Sequence, residues 1–178
     1  AMKSTIADCS VSGTVTGTLD EARKESQQGY VGGICGHNYG STISGCTNNA
    51  EASGNGFGTG GITGYSQLAS VAGSVNKGAV SGNENTGGIV GKISASGTAG
   101  LHSGCSNKAP VSGISKTGGI CGISVGVVKK DDNYQTISDC YNTGRISSKN
   151  HAGGISGYIH DSAIEISDNS GAISAEQY

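Results

Sequence analysis

The stretch Gly-Gly-Ile-x-Gly occurs five times in this chain, and an internal repeat constrains a fold before any other sequence feature does. The copies begin at Gly32, Gly60, Gly87, Gly118 and Gly153, with starts 28, 27, 31 and 35 residues apart. The unit is therefore about 27 residues, and the excess is loop insertion. Composition narrows the choice further. The 178 residues include 33 glycines, one proline, one phenylalanine and no tryptophan, and only 13% are charged. Few large side chains are present to fill a thick core, and disordered chains are typically charged and Pro-rich, unlike this one. A thin stack of coils suits the composition, since small residues pack there against their own copies one layer away.

A second block aligns in register within the same chain. One column holds Ile6, Ile43, Val71, His102, Ile137 and Ile164, and three residues later stand Cys9, Cys46, Ser74, Cys105, Cys140 and Ser167. Two further on come Val11, Asn48, Asn76, Asn107, Asn142 and Asn169, then a Gly/Ala column from Gly13 to Gly171. Val15, Ala52, Val80, Val111, Ile146 and Ile173 follow, each with Thr or Ser directly after it.

Each unit reads as three short strands. The first ends near the Cys column, the second carries the Val/Ile column, and the third is the Gly-Gly-Ile segment. β-branched residues bounded by Gly, Asn and Asp are the expected pattern of strand and turn, and this much glycine rules out a helical repeat. Stacked units place each strand parallel to its copy about 4.8 Å away, so Ile34, Ile62, Ile89, Ile120 and Ile155 form an internal ladder. The expectation is an all-β, right-handed parallel β-solenoid of about five and a half coils, forming one domain over 1–178. The handedness follows from the rule for parallel crossovers.

The insertions break the repeat. Residues 18–29 (TLDEARKESQQG) carry a capping box, Thr18 with Glu21, and a terminal Gly29, which predicts a short helix covering the N-terminal coil. Lys92 to Leu101 is a small excursion, and 123–136 (ISVGVVKKDDNYQT) is an inserted loop. The C-terminal stretch stops in mid-coil, as expected of a segment from a longer array.

These residues resemble a known family. Gly-Gly-Ile-x-Gly, a short loop, then Ile-x-(Gly/Asp)-Cys-x-Asn-x-Gly-x-Val is similar to the GLUG repeat of bacterial surface proteins. Residues 137–157 (ISDCYNTGRISSKNHAGGISG) are the copy nearest that pattern. The resemblance implies a β-solenoid in an exported protein of the kind that includes IgA-specific metalloproteases and adhesin-like proteins. The zinc-binding His-Glu-x-x-His of those proteases is absent from this sequence, so protease activity does not carry over.

Candidate constellations have structural readings. The six cysteines occupy two columns that also accept Val, Thr or Ser, and no Cys-x-x-Cys is present, which favours buried, reduced thiols over a zinc site. Stacked Asn residues at a corner predict an amide ladder. His37, His102, His151 and His160 fall in different columns and read as surface or loop residues rather than as triad members. Asp8 and Asp139 share a column but lie four coils apart, about 19 Å, too far for paired-carboxylate chemistry. Tyr65 and Tyr158 share a column with His37, Lys92 and Ile123 that can stack on sugar or simply pack. Thr59, Thr86 and Thr117 form a row like that of ice-binding solenoids, but one residue wide.

The functional expectation is a non-catalytic, adhesin-like spacer or presenting domain at the bacterial surface, with no catalytic residue, metal or cofactor. The alternative is a module binding a host glycan or host surface protein. Lys129, Lys130, Asp131, Asp132 and Tyr134 are its candidate contacts, because loops on a rigid scaffold carry recognition. A polysaccharide-cleaving β-helix enzyme is the third reading. The net charge of −2 gives no nucleic-acid footprint, and no apolar run approaches the ~20 residues that cross a membrane. Neighbouring repeats of the same chain are the remaining expected partners.

Overall fold

The computed structural model describes residues 4–20, 29–94, 101–126 and 135–176. The first turn consists of β1 (Thr5–Ala7), β2 (Ser10–Val11), β3 (Thr14–Gly17), β4 (Tyr30–Gly32) and β5 (Cys35–Tyr39). Each founds a parallel sheet, here A to E in that order, and the sheets contain six, six, six, five and five strands respectively. The chain is thus an all-β parallel β-solenoid, and the described residues hold no helix. Of the helix expected over 18–29, residues 21–28 lie outside the described residues. Thr18–Asp20 and Gly29, at its two ends, are irregular.

Each of the first five turns has five strands, not the three expected. The Gly-Gly-Ile segment is not a strand of its own: Gly32 ends β4, and Gly33 and Ile34 form a bend between β4 and β5. The bend arises where two repeat columns meet. A Cβ on Gly33 would run into the Asn48 amide, and Gly61, Gly88, Gly119 and Gly154 stand in the same relation to Asn76, Asn107, Asn142 and Asn169. Glycine is needed so that the backbone can lie against the amides. The Asn residues themselves belong to the two-residue strands of sheet B rather than to a corner.

The corner between sheets A and B explains another column. Asp8, Gly45, Gly73, Gly104, Asp139 and Ile166 all have positive φ, from 47° to 62°. Gly and Asp tolerate that left-handed conformation, which is why the column draws on both at this turn.

Register follows the repeat columns. Ile6, Ile43, Val71, His102, Ile137 and Ile164 pair rung by rung in sheet A, and the Val/Ile column does so in sheet C. At the bend, each Ile N–H from Ile34 to Ile120 donates to the Ile carbonyl one rung on, at 3.0 Å. These isoleucines pack on the sheet A ladder and the Cys column to form the main core. Each such side chain contributes about 1.5–3 kcal/mol on full burial. A second, thinner core of Val80, Val111 and Ile146 lies under sheet C, with Ala152 of sheet D packed against it.

Candidate functional site

Sheet E gathers chemistry on its outer side. Cys35 packs on the core and Asn38 is buried, whereas His37 and Tyr39 between and after them are exposed. Pairing extends the His37 position into a row of His37, Tyr65, Lys92, Ile123 and Tyr158. Sheet D begins its strands beside that row, with Tyr30, Gly58, Asn85, Lys116 and His151.

The rings pack on one another. Tyr65 stacks on His37 with centroids 4.7 Å apart and planes at 17°, and Tyr30 leans on Tyr65 at 4.8 Å. Gly58 makes room for that lean, since a Cβ there would meet Cδ1 of Tyr30 at 3.1 Å. Tyr39 stands edge-on to His37 at 6.2 Å. The Lys92 ammonium lies 5.2 Å from the Tyr65 centroid, and that of Lys116 lies 5.9 Å from Tyr158, both within cation–π range. Tyr65 Oη and Ser94 Oγ are 2.5 Å apart, and His37 Nε2 is 3.2 Å from Gln67 Oε1. Burial, then the neighbouring Tyr65, raises the pKa of Tyr30. Tyr65 is 9% exposed and acts as a post within the cluster, while Tyr39 and Tyr158 are 60% and 41% exposed.

The sign of charge here is also uniform. No strand of sheets D and E contains Asp or Glu. Glu84 and Asp161 stand just outside, at strand ends, and Asp161 pairs with His160 at 3.2 Å.

The other expected residues separate clearly. Lys129, Lys130, Asp131, Asp132 and Tyr134 lie outside the described residues. The Asn ladder forms as expected: Nδ2 of Asn48, Asn76, Asn107 and Asn142 each donates to Oδ1 of the next, at 2.8, 2.8, 2.7 and 2.6 Å. All six cysteines are free, but burial is not uniform, since Cys9 is exposed and Cys35 half-buried. Hydrogen bonding between their thiols raises the pKa of Cys105 and lowers that of Cys140, and burial raises Cys35 and Cys121. Among the described residues no group of three His, Cys, Asp or Glu can hold a metal ion. The Thr59, Thr86 and Thr117 row is fully buried between sheets C and D, so it presents no surface to ice.

His102 corrects the expectation of surface histidines. It is buried, with Nε2 2.9 Å from Ser66 Oγ and Nδ1 3.0 Å from Gln135 Nε2. The distances suit a Ser-His-amide triad, but the environment does not. The Gln135 amide N–H donates to Nδ1, so Nε2 carries the proton and donates to Ser66, the wrong tautomer for activating a hydroxyl. Ser66 is also 1% exposed. The network is a polar replacement within an apolar column, with its hydrogen bonds satisfied internally.

A furrow of about 360 Å³ runs over sheet C, lined by Ser53, Ser81, Ser112, Ile114 and neighbouring Thr, Gly and Asn residues. Among the described residues it is lined by no charged or aromatic side chain. The aromatic face of sheets D and E is therefore the candidate site. Sequence columns contained His37, Tyr65, Lys92 and Tyr158; Tyr39 follows two residues after His37 on the same face of β5, and Tyr30 joins through the bend between β4 and β5.

Comparison with known proteins places one turn of this solenoid in a recognised pattern. No curated protein and no solved structure matches the chain. The family model described as the GLUG motif matches residues 27–53, a span that takes in strands Tyr30–Gly32, Cys35–Tyr39, Thr42–Ser44 and Thr47–Asn48 and most of Glu51–Gly54. The matched motif thus corresponds to one circuit through all five sheets, and the chain carries it as a GLUG-repeat region would.

Proposed function

We propose that this chain is a non-catalytic repeat domain of a bacterial surface protein, a rigid, right-handed segment of about five and a half coils that spaces or presents a binding region. The observation that carries the reading is the agreement between the GLUG match at residues 27–53 and the rung-by-rung register. Nearly every column pairs with its own copy, which specifies a stiff rod and leaves little of the coil free for chemistry. An antibody raised against this domain should label intact cells of the source bacterium, and external protease should remove the label. Labelling that appears only after lysis would overturn the surface assignment.

A binding module is the second reading, favoured by the aromatic and basic face of sheets D and E. The two readings are compatible, because a spacer can itself carry a recognition site.

A further inference from the structure

We infer that the outer face of sheets D and E binds an acidic glycan, a chain of pyranose sugars bearing carboxylate or sulfate groups, laid along the solenoid axis. The inference rests on the second reading above and names its site and ligand class.

Three observations carry it. Tyr39 and Tyr158 present exposed rings at opposite ends of the face, four rungs or about 19 Å apart along the axis. Such rings offer flat apolar surface with a polar tip, which suits the C–H faces and hydroxyls of sugars. Lys92 and Lys116 lie on the intervening rungs, and each is held against a tyrosine ring. Their ammonium groups are thereby fixed near the surface and their remaining donors are available for an anion. His37 and His151 add basic nitrogen in the same two rows. Finally, the ten strands contain no carboxylate in a chain with 13 Asp and Glu. Strands without a negative side chain, with Glu84 and Asp161 only at their ends, are complementary to an anionic partner.

Other partners fit less well. An extended peptide docks by adding to a free strand edge or by filling side-chain pockets. The strands inside each sheet are paired on both sides, and the larger furrow lies over sheet C. Single-stranded nucleic acid requires ring faces for its bases and a cationic track for its phosphates. Here both sides of Tyr65 are occupied, by His37 and Lys92, which leaves no run of free ring faces for successive bases.

The test is calorimetric titration of the full chain with three probes: oligogalacturonate, a heparin-derived hexasaccharide and neutral maltohexaose. At least one acidic probe should bind and maltohexaose should not; binding of oligogalacturonate shows carboxylate recognition, and binding of the heparin hexasaccharide alone shows that sulfate is required. Tyr39→Ser, Lys92→Gln and Tyr158→Ser should each weaken binding by about tenfold. Tyr141→Ser and Lys108→Gln, on another side of the solenoid, should leave both affinity and thermal unfolding unchanged. Absence of binding to both acidic probes overturns the inference while leaving the spacer reading intact. Equal losses in the Lys108 variant, or equal affinity for a poly-glutamate peptide, reduce the interaction to unspecific charge and also overturn it.

Discussion

Two ladders run along this solenoid, Asn over five turns and Thr over three, and they meet the same problem differently. In sheet B, Asn48, Asn76, Asn107 and Asn142 are all buried and each amide donates both to the next Asn and to a carbonyl two residues on, as Asn107 does to Ala109 at 2.8 Å. Between sheets C and D, the threonines stack just as regularly, but the hydroxyls of Thr59 and Thr86 have no hydrogen-bond partner among the described residues. Only Thr117 is satisfied, by Ser148 at 3.0 Å. Repetition alone therefore does not satisfy polar groups. An amide carries donor and acceptor on opposite sides and can bond to copies above and below, whereas a hydroxyl aimed across the coil depends on what the facing sheet supplies.

The largest effect should come from breaking the satisfied ladder. Asn107→Ala removes the acceptor for Asn76 and the donor for Asn142, leaving buried polar groups unpaired at about 1–3 kcal/mol each. Asn49→Ala, one position after a ladder residue but exposed and bonded to Ser10 at 3.2 Å, should change stability by under about 0.5 kcal/mol. Denaturant midpoints compare the two directly, and equal midpoints would remove the ladder's claim to stability.

The facing sheet supplies volume as well as hydrogen bonds. Gly82 faces Thr86 and Gly113 faces Thr117, while in the next turn Ser148 occurs with Ala152. Where sheet D has the larger residue, sheet C has none. A Cβ at Gly113 would sit against Thr117 and 3.0 Å from Thr86 Oγ1, so Gly113→Ser should cost about 1–3 kcal/mol through overpacking. Adding Thr117→Ala recreates the Ser148/Ala152 arrangement and should recover most of the loss, with a coupling of about 1 kcal/mol or more in the double-mutant cycle. Additive losses would show that the two sites do not share a space.

Smaller differences should separate the threonines themselves. Thr86→Val exchanges an orphaned hydroxyl for a methyl of similar shape and should be neutral or stabilising, by up to about 1 kcal/mol. Thr117→Val breaks the bond to Ser148 and should destabilise by a similar amount. Thermal unfolding of both variants gives the sign, and destabilisation by Thr86→Val would mean that its hydroxyl has a partner after all.

The ladders were legible in the sequence because each residue's principal neighbour is its own copy, one repeat away. Columns such as Ile43–Val71 or Asn76–Asn107 can be written out without knowing how the turn closes. What columns conceal is contact within a turn. The Gly-Gly-Ile segment looked like a strand because its isoleucine is β-branched, yet the preceding glycines bend the chain against the Asn amides. The Gly113/Thr117 compensation lies four residues apart and was hidden by taking columns one at a time. For the candidate site, the row of Tyr65 and Tyr158 was visible, but the approach of Tyr30 required the bend that separates sheets D and E.

The smallest effect concerns one position where a column departs from its own rule. At the corner between sheets A and B, five rungs place Asp or Gly in the left-handed region, and the sixth places Ile166 there with φ of 47°. A β-branched side chain is poorly suited to that conformation, at a cost of about 1–2 kcal/mol. Ile166 is also 78% exposed, so little burial energy offsets the strain. Asn tolerates the left-handed region and is polar enough for an exposed corner. Ile166→Asn should therefore raise stability by about 0.5–1 kcal/mol, while Asp139→Ile, which creates the same mismatch one turn earlier, should lower it by at least as much. The pair of melting temperatures measures the strain twice with opposite sign. If both substitutions move stability in the same direction, the corner does not select residues by backbone conformation, and the Gly/Asp column needs another cause.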